Sequence, residues 1–352
     1  MSTPFASPAA QAASASLPVF PRPPAADFDA PGACMPLPQF GVIDVAGDDA
    51  ATFLHSQLTN DIEHLDAGSA RLSGYCSPKG RLLASFLTWR AGHDVRLLVS
   101  KDVRLLVSKD VQPAVQKRLS MFVLRAKAKL TDASDTLAVA GFAGDVRDAL
   151  SGIFDALPDG VHVKVDGPAG ALIRVPDAAG RKRYLWIGPR AEVDARLAAL
   201  AGTLPVVSPA VWDWLDVRAG EPRITQPAVE QFVPQMVNFD VIGAVNFRKG
   251  CYPGQEVVAR SQYRGTIKRR TALAHVAGET DTVHAGVELF HSDDPGQPCG
   301  MIVNAAAAPA GGVDALVEIK LAALDSGTVH LGSADGPALA FDALPYAWPT
   351  EA

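Results

Sequence analysis

The chain has 352 residues, more than one small core accommodates, so two or three domains are expected. Its composition, 48% hydrophobic and 20% charged, is that of a soluble globular protein. The formal net charge of -6 excludes nucleic-acid affinity through the overall field; any such affinity has to come from a local patch.

Four cysteines, Cys34, Cys76, Cys251 and Cys299, are widely scattered with no CxxC spacing. That pattern points to a reducing compartment and argues against a disulfide framework, a structural zinc site or a permanently bound cluster. No stretch approaches the roughly 20 apolar residues that span a bilayer. Residues 1–36 are rich in Ala, Pro and Ser and read as a disordered tail. The first basic residue is Arg22 and prolines interrupt the apolar positions, which disfavours a secretory signal; the paucity of arginine disfavours a mitochondrial transit peptide. The expected compartment is the cytoplasm.

From residue 37 the elements follow in order. Phe40-Gly41-Val42-Ile43-Asp44-Val45 reads as a strand, and Asp48 or Asp49 is positioned to cap a helix carrying Phe53, Leu54 and Leu58 on one face. An extended segment at residues 72–75 follows, then a Ser77-Pro78-Lys79-Gly80 turn and a strand over residues 82–89. Strands and helices alternate irregularly to about Arg218, as at Leu137-Ala138-Val139-Ala140 and the helical pattern of residues 191–200. This suits an α+β arrangement better than a doubly wound sheet. From residue 268 short apolar strands at residues 272–276, 299–303 and 316–319 are separated by Gly and Pro turns, which points to a small β-barrel over residues 268–352.

The octapeptide Asp94-Val95-Arg96-Leu97-Leu98-Val99-Ser100-Lys101 recurs unchanged at Asp102-Val103-Arg104-Leu105-Leu106-Val107-Ser108-Lys109. An even-numbered insertion preserves which side chains face which side of a strand, so one copy in the sheet with the other looped out satisfies the core pattern. Intact-mass measurement decides whether both copies exist.

The richest stretch is Lys249-Gly250-Cys251-Tyr252-Pro253-Gly254-Gln255-Glu256. A thiol stands between two glycines, beside a lysine, at the start of a short helix with Pro253 at its first position. Both the cation and the helix start favour the thiolate, the reactive form. Gly250 and Gly254 permit left-handed turns or the close approach of a flat ligand. The other reading is a tight turn with a small buried cysteine.

This stretch, with Phe247-Arg248 before it, Val257-Val258-Ala259-Arg260 after it and the upstream Phe232-Val233-Pro234-Gln235-Met236-Val237-Asn238, resembles the hallmark of the YgfZ-type folate-binding proteins, relatives of the glycine-cleavage T-protein. Phe53-Leu54-His55-Ser56-Gln57-Leu58-Thr59-Asn60-Asp61-Ile62, Pro78-Lys79-Gly80-Arg81 and Asp216-Val217-Arg218-Ala219-Gly220 match the rest of the pattern, from about Gln39 onward. The resemblance implies a cloverleaf of two α+β lobes over residues 37–267, and a carboxyl-terminal β-barrel, around a central folate-sized channel. It also implies a tetrahydrofolate-dependent role in making or repairing iron–sulfur enzymes, including those that thiolate tRNA. The T-protein carries a pair of aspartates where this chain has Ala84-Ser85, and neither side chain holds the charge that orders the folate nitrogen during transfer. Aminomethyl transfer is therefore not expected. A one-carbon transferase and a ligand-free scaffold are the competing readings.

Cys251 is the expected reactive residue, with Lys249 pairing with the thiolate or with the carboxylates of a folate tail. Gln57, Asn60 and Asp61 are candidate pterin-edge contacts, or residues that end the helix before them. Arg218 suits a folate carboxylate or an ordinary ion pair, and Tyr252 either stacks on the ring system or fills the core. Arg260, Arg264, Lys268, Arg269 and Arg270 form a basic run without an acidic residue between them, but Tyr263 is its one aromatic neighbour, and direct nucleic-acid binding is not expected. His55 and His93 belong to no ligand cluster, and no metal is assigned.

Overall fold

The computed structural model describes residues 20–91 and 102–349. Three antiparallel sheets share one core. The first runs in the order Ala70–Cys76, Leu82–Arg90, Val103–Ser108, Phe40–Ala46, Lys129–Asp132. The second runs Gly32–Pro36, Leu137–Gly144, Arg181–Pro189, Gly170–Ala178, Lys164–Gly167. The third runs Val329–Leu331, Glu288–His291, Asp294–Ala307, Val313–Lys320, Arg269–Val276, Leu339–Asp342. A bridge between His330 and Ala338 ties its first strand to the approach of its last, so the carboxyl-terminal sheet curls round on itself.

Strand alternation divides the side chains between two layers. Leu105 and Val107 pack outward against Phe53, Leu54, Val115 and Leu119 of helices Ala50–Gln57 and Gln112–Phe122. Leu87 and Leu106 point inward to a common core with Ile173 and Leu185 of the second sheet and Leu273 and Leu316 of the third. Helix Pro209–Arg218 is buried through that core by Val211, Trp212, Trp214 and Leu215.

The disordered-tail expectation for residues 1–36 is corrected over its last third. Ala25–Asp29 is helical and Gly32–Pro36 pairs with Leu137–Gly144, Gly32 opposite Gly144. Phe28 packs edge-on against Trp214 at 5.3 Å, and Met35 is wholly buried. Ladder hydrogen bonds and a few large apolar anchors suffice to order a Pro- and Ala-rich segment. The octapeptide copy at 102–109 supplies strand Val103–Ser108, between Phe40–Ala46 and Leu82–Arg90. The copy at 94–101 and His93 lie outside the described residues.

Candidate functional site

Cys251 is exposed, whereas Cys34, Cys76 and Cys299 are buried. Burial pushes the Cys34 thiol up to about 11 and the Cys76 thiol up to about 12, so neither offers a thiolate near neutral pH. The loop carrying Cys251 is fixed from both sides. Ahead of it, Lys249 Nζ donates to the carbonyls of His55 and, at 2.7 Å, of Leu58. These sit at the carboxyl end of helix Ala50–Gln57, where unpaired carbonyls and the helix dipole favour a cation. The same ammonium lies 4.8 Å over the ring of Tyr252, which is buried beneath it. Burial lowers Lys249 to about 8, although Asp61 and Cys251 act in the opposite direction. The amine thus exchanges its proton close to neutral pH beside an exposed thiol.

Behind Cys251 the helix begins at Gln255, with Gly254 as its N-cap at φ +79°. Pro253 therefore precedes the helix rather than occupying its first position. A Cβ at Gly254 would come within 2.4 Å of the Ser77 carbonyl oxygen and 2.6 Å of Gly80 Cα. Gly80, itself at φ +72°, has no room for a Cβ against Val257. The two glycine turns interlock, so the Pro78-Lys79-Gly80-Arg81 motif and the cysteine motif form one structural unit. Gly250 is different: a Cβ there would meet only His55 Nε2, at an ordinary 3.6 Å.

Gln235 Nε2 donates to the Val258 carbonyl at 2.8 Å, and Asn238 Nδ2 to that of Thr271 at 2.8 Å. The upstream motif is thereby a strut between the cysteine helix and the carboxyl-terminal sheet.

Asn60 is buried and fully engaged: Nδ2 donates to the carbonyls of Leu72 and Gly243, both at 2.7 Å, and Oδ1 accepts from the Asp61 N–H. It ties the loop after Asn238 to strand Ala70–Cys76. Asp61 receives His55 Nδ1 at 3.0 Å and His64 Nδ1 at 3.0 Å. Partial burial pushes its carboxyl up, but hydrogen bonds from His64 and the two imidazoles bring it below the usual range. Gln57 is half-buried, with Nε2 on Ser56 Oγ. Gln57, Asp61, Lys249, Cys251 and Tyr252 therefore belong to one neighbourhood, built on the end of helix Ala50–Gln57. Arg218 does not join it. Its guanidinium pairs with Asp342 at 2.9 Å and lies 3.7 Å from Asp314, on the carboxyl-terminal sheet.

The central cavity lies elsewhere. A cleft of about 80 Å³ opens between the inner faces of the first two sheets, with Phe40, Leu87, Leu106, Leu185 and Trp212 as apolar walls. Its polar lining is Ser73, Ser85, Ser108, Asp216, Glu221 and Arg223. Asp216, Glu221 and Arg223 also line a wider cavity of about 630 Å³ toward Asn304 and Ala306 of the third sheet, so the two spaces adjoin. Arg183 Nη1 meets Asp216 Oδ1 at 2.7 Å and Nη2 meets Glu221 Oε2 at 3.0 Å, while the guanidinium lies 4.9 Å over Trp212. Arg223 pairs with Asp213 at 2.8 Å. Burial pushes Asp216 up to about 6 against the pull of Arg183 and Arg223, and raises Glu221 as well.

Folate tests this lining on donors and acceptors. A pterin is flat, fits apolar walls, and presents N–H donors along one edge. Glu221 uses Oε2 for Arg183, which leaves Oε1 as an acceptor at the cavity, so the chemistry fits. Ser85 lines the cavity and accepts the Ile224 N–H at 2.9 Å; its neighbour Ala84 is buried in the outer core.

Sequence reasoning selected Arg218 and passed over Asp216 and Glu221, which flank it. On a helix two residues are about 200° apart, so Asp216 faces the cavity while Arg218 faces away. The available signal was a pair of aspartates, Asp213 and Asp216, in a helix that is apolar apart from them and its terminal Arg218.

No protein-family model matches the chain. The tRNA-modifying protein YgfZ of Cronobacter sakazakii is 33% identical over 273 residues, 75% of this chain and 76% of that protein. That of Edwardsiella ictaluri is 32% identical over 277 residues, 77% and 79% of the two chains. That of Sodalis glossinidius aligns over 95% of this chain and 99% of its own at 29% identity. Among solved structures, the glycine cleavage system aminomethyltransferase T from Bartonella henselae superposes with a TM-score of 0.70 at 17% identity, covering 91% of this chain and 88% of that one. The fold is that of the T-protein.

Proposed function

The chain belongs to the YgfZ family of tRNA-modifying proteins, and from that premise we propose that it is a tetrahydrofolate-binding accessory protein of the cytoplasm that supports assembly or repair of iron–sulfur enzymes, including those that thiolate tRNA. The observation that carries the reading is the apolar central cavity with a half-buried carboxylate pair at one side, on a T-protein fold, together with one exposed cysteine in a loop fixed from both sides. Glu221 and Asp216 would accept the donor edge of the pterin, with Trp212 and Phe40 against its faces. Bound tetrahydrofolate supplies a reduced pterin able to carry one-carbon units. Cys251 stands outside the lining of that cavity, and we assign it to thiol exchange with a client protein at the surface, with the Lys249 ammonium as the neighbouring cation that favours its thiolate.

One-carbon transfer of the T-protein type is the weaker reading, because Ser85 brings a hydroxyl and no charge to the cavity. Calorimetric titration with tetrahydrofolate tests the proposal. Saturable heat is expected, weakened about ten-fold or more by Glu221→Gln, since a hydrogen bond to a charged group is worth about 1.5–3 kcal/mol. Absence of saturable heat refutes folate binding and leaves the scaffold reading. In a strain lacking the native protein, folded Cys251→Ser protein is expected not to restore iron–sulfur enzyme activity; full restoration removes the thiol from the function.

A further inference from the structure

The basic run at residues 260–270 is sorted by the fold. Arg260 pairs with Glu256, Arg269 with Glu318 and Arg270 with Asp240. Arg264 and Lys268 are exposed and form no ion pair among the described residues, and Arg248, from the cysteine motif, is likewise exposed and unpaired. Tyr263 is 70% exposed and meets Phe247 edge-on at 6.0 Å. Arg248, Phe247 and Tyr263 come together on one open groove, whose lining also includes Asp61, Arg71 and His162. Its single carboxylate, Asp61, is already occupied by two imidazoles, so the unengaged charge at the groove is positive. His162 stands at φ +63°, and its Nε2 is buried without a hydrogen-bond partner. An accessible aromatic face, unpaired cations beside it and an unsatisfied ring nitrogen are the elements that hold a single-stranded nucleotide: stacking for the base, charge for the phosphates, a polar atom for the base edge.

We propose that this groove binds an unpaired segment of RNA, with a base on Tyr263, a phosphate on Arg248, which lines the groove three residues along the chain from Cys251, and further phosphates on the exposed Arg264 and Lys268 beyond its lining. This rests on the tRNA-modification reading and deepens it: the chain itself contacts RNA. The aromatic platform that the basic run lacks in sequence is completed by Phe247, from a segment sixteen positions away.

Fluorescence anisotropy with a labelled single-stranded RNA, and with the same RNA as a duplex, tests it. The single strand is expected to bind more tightly, with a slope of log affinity against log salt of about -2, from three cations on a single strand. Tyr263→Ala is expected to weaken binding about ten-fold while Tyr263→Phe, which still stacks, retains it. Arg248→Ala is expected to flatten the salt slope by about 0.7. Wild-type RNA affinity in both Tyr263→Ala and Arg248→Ala, preference for the duplex, or no binding at low salt overturns the proposal. The groove shares Leu72 and Ile242 with the central cavity, so a folate tail is the rival occupant. If these substitutions alter the affinity of polyglutamylated over monoglutamylated tetrahydrofolate and leave RNA untouched, the groove serves that tail and the proposal falls. Tetrahydrofolate calorimetry on the wild type reports separately on the folate reading, so the two fail independently.

Discussion

Replacing Lys249 by methionine keeps the length of the side chain and removes its ionisable group. In the folded protein the amine is lowered by burial from its ordinary 10.5 to about 8. At 1.36 kcal/mol per pH unit that difference corresponds to about 3 kcal/mol. Between pH 8 and 10.5 the unfolded chain holds this proton more often than the folded one, so stability rises with pH across that window. Below about pH 8 the full penalty is present. Against it stand the hydrogen bonds to the carbonyls of His55 and Leu58, which methionine forfeits at about 1.5–3 kcal/mol each while protonated. The two contributions nearly offset at pH 7, so the pH dependence is the diagnostic quantity. Urea unfolding followed by tryptophan fluorescence, at pH 7.5 and pH 10.5, measures it for both proteins. Wild type is expected to gain about 3 kcal/mol relative to Lys249→Met between the two conditions. Parallel pH dependences in the two proteins would refute a desolvated, proton-exchanging amine beside Cys251.

Gly254→Ala is expected to cost at least about 2 kcal/mol, because a left-handed alanine is strained and its Cβ meets the Ser77 carbonyl; urea unfolding checks this, and a loss below about 0.5 kcal/mol means the interlocked turns are not rigid. Arg183→Met removes the shared partner of Asp216 and Glu221 and is expected to destabilise by about 3–5 kcal/mol at pH 7. With Asp216 raised to about 6 while Arg183 holds it down, and higher once Arg183 is gone, the variant takes up protons before wild type does, so the loss should shrink as the pH falls toward about 6 and level off below it; thermal unfolding at pH 5 and pH 7 compares them, and equal losses contradict the cluster.

The sequence alone determined what is local or periodic. Strand Phe40–Ala46, helix Ala50–Gln57, the turn at Gly80, helix Arg190–Leu200 and the strands beyond residue 268 follow from alternation, caps and turn residues, which act over a few positions. The cysteine motif stood out because its residue types are unusual at that spacing, whatever surrounds them. The tertiary structure decided the rest. Ordering of residues 25–36 depends on Leu137–Gly144 and Trp214, which lie more than a hundred positions away, so composition misread that segment. The cavity wall combines Ser85, Asp216 and Glu221, and Arg183 behind it pairs with both carboxylates, a pairing no local pattern encodes. Asp216 faces the cavity and Arg218 the third sheet because the burial of Trp212 and Leu215 fixes the rotation of their helix. Local preference is written in neighbouring residues; which distant surfaces close on each other is settled only when apolar faces are buried together.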